Sequence, residues 1–128
     1  MKHYYIDTNV IIDMLADRGE FAEAASNLFD AAGRGEICVY ISSLSYSNIY
    51  YIIRRYLGHE KAIESLKELS RYVGILPVNG KIIRSSLDSG FGDFEDAIQY
   101  FSALHHILLL MPPHPLYRVL FQIQAKMY

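Results

Sequence analysis

Several features that mark specialised classes of protein are scarce in this sequence. Cysteine occurs once, as Cys38, so no internal disulfide can form and the chain fits a reducing compartment. Neither sign of charge dominates, because 12 lysine and arginine residues stand against 14 acidic residues and leave a net charge of −2. This balance excludes the general cationic field that binds duplex nucleic acid nonspecifically. Any contact with nucleic acid must therefore be local.

Long apolar runs are also missing. The N-terminal segment is interrupted by Asp7 and Asp13, which is unlike the apolar stretch of a signal peptide. Near the other end, residues 107–111 form a run of five apolar residues before two prolines, whereas a membrane-spanning helix needs roughly 20. We therefore expect a soluble, cytoplasmic protein with no membrane partner.

The residues that are present suffice for one well-packed domain. The 128 residues are 52% hydrophobic and 20% charged, which is too apolar for a chain that stays disordered. A chain of this length buries roughly two-thirds of its unfolded surface and needs no disulfide or zinc to fold. Residues 1–128 are accordingly expected to form a single domain.

Apolar segments of strand length alternate with amphipathic segments of helical periodicity. Strands are predicted at residues 4–6, 37–41 and 73–78, with a possible fourth at 107–110. Five helices are predicted. Two of them span residues 20–32 and 59–72, and the other three begin after Asp7, after the serines at 42, 43 and 45, and after Asp93. Strands that are apolar throughout must be buried on both faces. The pattern therefore predicts an α/β fold, a three-layer α/β/α sandwich with a mainly parallel central sheet.

Polar residues follow these strands at the edge where parallel strands end. Asp7 closes the first strand, and α/β proteins place their ligand crevice at this edge. Asn48 lies about one turn into the helix after the second strand, where a carboxamide can coordinate a hard cation or orient its water. Asp93 and Asp96, three residues apart in an opening helical turn, project from one end of their helix.

Each of these residues also has a purely structural explanation. Asp7 and Asp93 are suited to cap the helices that they precede. An acidic first turn, which here includes Glu95 and Asp96, complements the helix dipole, and Asn48 can be an ordinary polar helix residue. Taken together, however, clustered carboxylates with no cysteine or paired histidine suit Mg²⁺ or Mn²⁺, which activate water for phosphodiester hydrolysis.

Two further groups of side chains have both a functional and a packing interpretation. The first group consists of Arg54 and Arg55 with Tyr46, Tyr50 and Tyr51, and the second of His105, His106 and His114. The arginines and tyrosines could grip phosphate and stack on bases, although tyrosines at helical spacing more often pack in a core or an interface. Adjacent histidines on a helix point about 100° apart, which disfavours a transition-metal site.

Three segments resemble the signature segments of PIN-domain proteins and stand in the expected order. They are IDTNVIIDML, ISSLSYSNIYYIIRRYLG and FGDFEDAIQYFSAL, and the likeness covers roughly residues 3 to 106. It is greatest to the bacterial, VapC-like toxin ribonucleases of type II toxin–antitoxin pairs. The resemblance implies a Mg²⁺- or Mn²⁺-dependent endoribonuclease that cuts single-stranded RNA, forms a homodimer and binds a cognate antitoxin protein.

Carried onto this sequence, the resemblance implies specific site residues. Asp7 matches the first metal-binding acid of the family and Asp96 the later one. Asn48 stands where many PIN domains have Glu, and Asp93, one helical turn before Asp96, could compensate for the lost charge. The residues that would hold Asp7 or a water molecule are Thr8 and Asn9.

The end of the chain departs from the family. PIN domains usually continue with a strand that ends in Thr-Arg-Asn or Thr-Arg-Asp, and residues 107–128 contain neither motif. A divergent tail, a shifted reading frame near His105 or a feature of the expressed chain could each explain this ending. If a metal ligand is missing, the alternative function is a catalytically degenerate PIN fold that binds protein or RNA. A third interpretation is a phosphatase or receiver-type domain that uses Asp7 as nucleophile. A phosphatase of the haloacid-dehalogenase type needs a second acid two residues after the first, where this chain has Asn9.

Overall fold

The computed structural model describes residues 2–15 and 22–110 of the chain. In chain order its elements are β1 (Lys2–Tyr5), α1 (Thr8–Leu15), α2 (Ala22–Gly33), β2 (Ile37–Ser42), α3 (Ser43–Leu57), α4 (His59–Ser70), β3 (Val73–Leu76), α5 (Gly80–Leu87) and α6 (Phe94–Leu110). The predictions for residues 20–21 and for the tail, including His114, fall outside these ranges. No helix within them is long and apolar enough to cross a membrane.

The three strands form one parallel sheet in the order β1-β2-β3. Tyr4 pairs with Val39, and Tyr40 pairs with Gly74, so β2 is hydrogen-bonded on both sides. Parallel neighbours need crossover connections, and the helices that follow β1 and β2 supply them. The three strands at the start of the predicted pattern and the parallel sheet are confirmed, whereas α5 was not predicted.

Helices cover both faces of the sheet. Successive side chains of a strand point to opposite faces, so each strand contributes to the packing on both sides. Val39 and Ile41 of β2 face one layer, where they join buried residues of α1, α2, α3 and α4 in the larger core. Tyr40 faces the other layer and packs with Tyr5, Leu76 and the α6 residues Ala103 and Ile107. The α/β/α sandwich predicted from the apolar strands is therefore the observed architecture.

Polar side chains define where four of the helices begin. In each case a side-chain oxygen accepts a hydrogen bond from a backbone N–H in the first turn. The pairs are Asp7 Oδ1 with Val10 N (3.0 Å), Ser42 Oγ with Ser45 N (3.3 Å), Asn79 Oδ1 with Ile82 N (3.0 Å) and Asp93 Oδ1 with Asp96 N (3.1 Å). The capping predictions for Asp7 and Asp93 are confirmed, and Ser42 is the capping serine before α3. Caps of this kind each stabilise a helix by about 1 kcal/mol.

The predicted strand at residues 107–110 is wrong, because these residues continue α6 to Leu110. Ile107 is only 2% exposed and packs beside Ala103, one helical turn earlier, against Tyr5 and Leu76 of the sheet. A run of a few apolar residues has no periodicity that separates a buried helix from a strand. Contacts with other elements decide the outcome, and here they favour a longer helix.

Candidate active site

An acidic cavity of about 370 Å³ opens at the edge of the sheet where β1 and β2 end. All six residues predicted for a metal site or its support line it, namely Asp7, Thr8, Asn9, Asn48, Asp93 and Asp96. They come from the start of α1, the middle of α3 and the start of α6. The structure thus brings together residues that are up to 89 positions apart in the chain, from 7 to 96.

The end of β1 places Asp7 at this cavity. The Ile6 amide still donates to Tyr40 O of β2 at 3.1 Å, and the chain leaves the sheet at the next residue to begin α1. One carboxylate oxygen of Asp7 accepts from Val10 N at 3.0 Å. The same carboxylate therefore caps α1 and faces the cavity, so the structural and functional interpretations of Asp7 are compatible.

A chain of buried hydroxyl groups ties the start of α1 to the start of α3. Thr8 Oγ1 donates to Ser45 Oγ at 3.0 Å, and Ser45 Oγ lies 3.0 Å from Ser42 Oγ. All three residues are buried, so these hydrogen bonds are shielded from water. Thr8 thereby fixes its neighbour Asp7 relative to the helix that carries Asn48. The prediction that Asn9 supports the site remains untested, although its exposed side chain lines the cavity.

Glu95 is a cavity residue that the sequence analysis assigned only to the helix dipole. Asn48 Nδ2 of α3 donates a hydrogen bond to Glu95 Oε1 in the first turn of α6, which joins two walls of the cavity. Gln99 also lines it without having been predicted as a site residue, and Tyr51 lines it although the sequence analysis favoured packing for the tyrosines that could stack on bases. Their spacing was an available signal, because Gln99 follows Asp96 by three residues and Tyr51 follows Asn48 by three.

The carboxylates of the cavity are close enough together to affect the pKa of Asp96. The pKa of Asp96 is raised above its ordinary value, first by burial and then by the negative charges of Asp93, Asp7 and Glu95. No lysine or arginine is among the described residues that line the cavity. A cation would relieve this repulsion. The side-chain atoms that could coordinate it are all oxygen atoms, which Mg²⁺ and Mn²⁺ prefer as ligands.

The carboxylates surround the cavity without forming a complete cage. Within residues 2–15 and 22–110, no three side chains of His, Cys, Asp or Glu are close enough together to hold a metal ion as they stand. The donor chemistry nevertheless fits Mg²⁺, which usually keeps several waters and takes only one or two carboxylates from the protein.

The remaining predicted side chains separate into different environments. Arg54 and Arg55 are exposed at the end of α3 and do not line the cavity. Tyr46 packs against the larger core, as the packing interpretation predicted. Tyr50 also packs there, and its hydroxyl lies 2.7 Å from His59 Nδ1, whereas Tyr51 is 61% exposed at the cavity rim.

The two described histidines of the C-terminal group, His105 and His106, lie in different environments. His106 faces the sheet, and its Nδ1 forms a hydrogen bond of 2.8 Å with the Tyr5 hydroxyl. His105 lines a separate shallow pocket beside α5 with Lys81.

Comparison with known proteins identifies the fold and the family. The sequence pattern of the PIN domain matches residues 3–106. Comparison with curated proteins gave no match. The chain is similar to VapC20 of Mycobacterium tuberculosis, described as a toxin that cleaves the sarcin–ricin loop, with 15% identity, a TM-score of 0.62 and coverage of 82% of this chain and 83% of that one. It is also similar to a chain of VapBC2 from Rickettsia felis, solved bound to a DNA fragment from their promoter, with 17% identity, a TM-score of 0.58 and 82% of each chain covered.

At these identities the structural likeness establishes the fold, which is that of the VapC toxins. The match to the PIN-domain sequence pattern is independent of the structural likeness. That match runs from β1 to α6 and includes every described residue that lines the acidic cavity. The protein belongs to the PIN-domain family.

Proposed function

We propose that the protein is a divalent-metal-dependent endoribonuclease that hydrolyses phosphodiester bonds of single-stranded RNA and acts as the toxin of a type II toxin–antitoxin pair. One observation carries the proposal. Three aspartates from two separate elements, Asp7, Asp93 and Asp96, line one cavity, where burial and then the negative charges of Asp93, Asp7 and Glu95 raise the pKa of Asp96. Such repulsion is a cost for a structural site, and it is explained if the site binds a cation.

Asp7, Asp93 and Asp96 would hold the metal, which is Mg²⁺ or Mn²⁺. When bound, such an ion lowers the pKa of a coordinated water and stabilises the charge that develops on the phosphate. Its charge also makes a locally negative site attractive to a phosphodiester. A net charge of −2 is therefore compatible with an RNA substrate.

The other cavity residues orient these groups. The carboxamide of Asn48 donates through its nitrogen to Glu95, so its oxygen remains to accept a hydrogen bond from a water in the cavity. Thr8 positions Asp7 through the buried bond to Ser45. Asn9, which lines the cavity, would hold Asp7 or a water. Arg54 and Arg55, exposed farther along α3, would contact RNA phosphates outside the cavity.

Cleavage of single-stranded RNA in the presence of Mn²⁺ tests the proposal. We expect activity in the wild type and its loss in Asp7→Asn and Asp96→Asn, with Asp88→Asn as the matched control. Asp88 is exposed at the end of α5 and does not line the cavity. Activity in EDTA, or activity that survives in both cavity variants, would count against the proposal.

We also propose that the protein forms a homodimer and is inhibited by a small antitoxin protein. The support is the VapC fold and the acidic cavity, which would accept a basic side chain from an inhibitor. If a short open reading frame lies beside this one, its purified product should form a stable complex with the protein and abolish cleavage. Light scattering of the protein alone measures the dimer, and a monomeric mass would exclude it.

A second candidate function is a degenerate PIN fold that binds protein or RNA without cutting it. It is favoured by Asn48, which replaces an acid of many PIN domains, and by the lack of a preformed three-ligand group in the described ranges. Calorimetric titration with Mn²⁺ separates the two functions. Micromolar binding that disappears in Asp7→Asn supports the nuclease, and no binding at millimolar metal supports the degenerate fold.

A further inference from the structure

One aromatic side chain at the cavity, Tyr51, belongs to neither core of the protein. Tyr51 lines the acidic cavity and is 61% exposed, although it is flanked in α3 by tyrosine and isoleucine residues that pack against the core. It stands three residues after Asn48, and a helical side chain leans over the turn before it, which directs Tyr51 toward the cavity. Its ring is thus presented beside the carboxylates.

The ring of Tyr51 is supported from one side. The ring of Tyr50 meets it edge to face, with centroids 5.5 Å apart and planes inclined by 68°. Tyr50 is itself anchored, because its hydroxyl lies 2.7 Å from His59 Nδ1 at the start of α4 and its ring contacts the same histidine. An aromatic ring held in this way loses little conformational entropy when a flat ligand stacks on it.

The surroundings of Tyr51 identify the chemistry of that ligand. Its neighbours in the cavity include the polar residues Asn48, Asp96 and Gln99. The two isoleucines that also line it, Ile12 and Ile52, are buried or half-buried, so Tyr51 is the one exposed ring among the described lining residues. A protein partner with an apolar face would need a wider apolar patch than one ring. A ligand that offers both a flat aromatic face and a phosphate for a metal site is a nucleotide with an unpaired base.

We propose that Tyr51 stacks on an unpaired base next to the phosphate that is cleaved, and that this contact restricts the enzyme to unstacked, single-stranded RNA. The inference rests on the proposed ribonuclease function and adds a positioning residue to it. Bases in a duplex are stacked on both faces, so they cannot reach Tyr51 without the cost of unstacking. All four bases have a π face, so Tyr51 supplies preference for single strands with little preference for sequence.

Steady-state cleavage of a single-stranded oligoribonucleotide with Mn²⁺ tests this contact in three variants. We expect Tyr51→Ala to raise KM at least about fivefold, the lower end of what one lost base stack costs, with kcat changed far less. Tyr51→Phe keeps the ring and should keep the KM of the wild type. Tyr56→Ala is the matched control, because Tyr56 is 72% exposed on the same helix and does not line the cavity.

A substrate series shows whether the lost contact is a base. An abasic nucleotide is placed in turn at each position around the cleavage site. At one position it should raise the KM of the wild type to that of Tyr51→Ala and leave the KM of Tyr51→Ala unchanged, because the two changes remove the same contact. The inference is overturned if Tyr51→Ala and Tyr56→Ala change KM equally. It is also overturned if, at every position, the effects of Tyr51→Ala and of the abasic nucleotide on KM multiply.

A binding probe keeps this inference separate from the proposed function. The probe is an oligonucleotide with methylphosphonate linkages, which resist hydrolysis by nucleases, and it carries 2-aminopurine, whose fluorescence falls when its base stacks. Quenching by the wild type and Tyr51→Phe, and its loss in Tyr51→Ala, supports the stacking contact even if no RNA is cut. Cleavage with no difference in quenching between wild type and Tyr51→Ala overturns the stacking contact alone.

Discussion

Asn48 on α3 donates a hydrogen bond to the carboxylate of Glu95 in the first turn of α6. Many PIN domains have an acid where this chain has Asn48. Here the carboxylate on that side of the cavity comes from a different helix, and the amide at position 48 holds it in place. The cavity therefore keeps a negative charge on its α3 side although the local residue is neutral.

This pairing predicts the effect of Asn48→Glu. The variant places a second carboxylate beside Glu95 and removes the donor that holds it. We expect the metal-free protein to lose about 1 kcal/mol of unfolding free energy, the usual net worth of one hydrogen bond. Mn²⁺ should stabilise the variant more than it stabilises the wild type, because the added charge increases the affinity for the cation.

Urea unfolding in EDTA and in Mn²⁺ measures both effects. Ser47→Glu is the control, since it adds the same charge at an exposed residue that does not line the cavity. Identical behaviour of the two variants would show that only net charge matters.

The raised pKa of Asp96 predicts an unusual dependence of stability on pH. An acid with a higher pKa in the folded protein than in the unfolded chain binds its proton more tightly when folded. In metal-free protein, stability due to Asp96 is therefore fully present below the ordinary Asp pKa and is lost as the pH rises through the raised value. Asp96→Asn removes this loss.

We expect Asp96→Asn to melt at a higher temperature than the wild type in EDTA at about pH 7, with the difference vanishing near about pH 3. Thermal unfolding followed by circular dichroism over that pH series measures it, with Asp88→Asn as control. In Mn²⁺ the order should reverse, because only the wild type retains all the carboxylates. A lower melting temperature of Asp96→Asn in EDTA at neutral pH contradicts the prediction.

A second titrating group, His106, lies on the face of the sheet that α6 covers, beside Tyr5 and Tyr40. The pKa of His106 is lowered, first by burial and then by the nearby His3 and His105. A histidine with a lower pKa in the folded protein favours folding while it is neutral, so stability is lost as the pH falls through the ordinary histidine value toward the lowered one. Burial raises the pKa of Tyr5, whose hydroxyl forms a hydrogen bond of 2.8 Å with His106 Nδ1.

His106→Gln should weaken the loss of stability between about pH 7 and about pH 5, because glutamine does not titrate. Tyr5→Phe is the matched variant, and it should lower stability by about 1 kcal/mol while it keeps the pH dependence. Urea unfolding at each pH gives both numbers. A His106→Gln protein that follows the wild-type pH profile would exclude this histidine as its source.

Gly74 of β3 provides the space in which the Tyr40 ring lies. A Cβ at position 74 would stand 2.6 Å from Tyr40 Cδ1, closer than two carbon atoms can approach. Tyr40 would have to move, and its ring contacts with Tyr5 at 5.0 Å and His106 at 4.4 Å would be disturbed. We expect Gly74→Ala to cost about 1 to 3 kcal/mol of unfolding free energy.

The control for this variant is Gly92→Ala, since an added Cβ at exposed Gly92 meets nothing within 4 Å. Chemical denaturation of both proteins is a direct comparison. If Gly74→Ala is as stable as Gly92→Ala, the ring of Tyr40 has room that the structure does not show.

Local sequence was sufficient for the three strands, for the described helices other than α5 and for part of the site. Apolar runs bounded by polar residues predicted β1, β2 and β3, and the capping roles of Asp7 and Asp93 could be read from their positions before helices. These features depend on residues within about one turn of one another, which is the range of periodicity and capping. Parallel strands also end at one edge, so the meeting of Asp7 with Asn48 was predictable.

Only the tertiary structure decided which of several locally equivalent residues has which surroundings. Residues 107–110 continue a helix because Ile107 packs against β1 and β3, and nothing in the run itself separates that outcome from a strand. Tyr50 is packed and Tyr51 exposed at the cavity although they are neighbours in sequence. The bond from Asn48 to Glu95 joins residues 47 positions apart. Burial and long-range contacts depend on how whole elements pack, so local patterns in the amino-acid sequence do not decide these assignments.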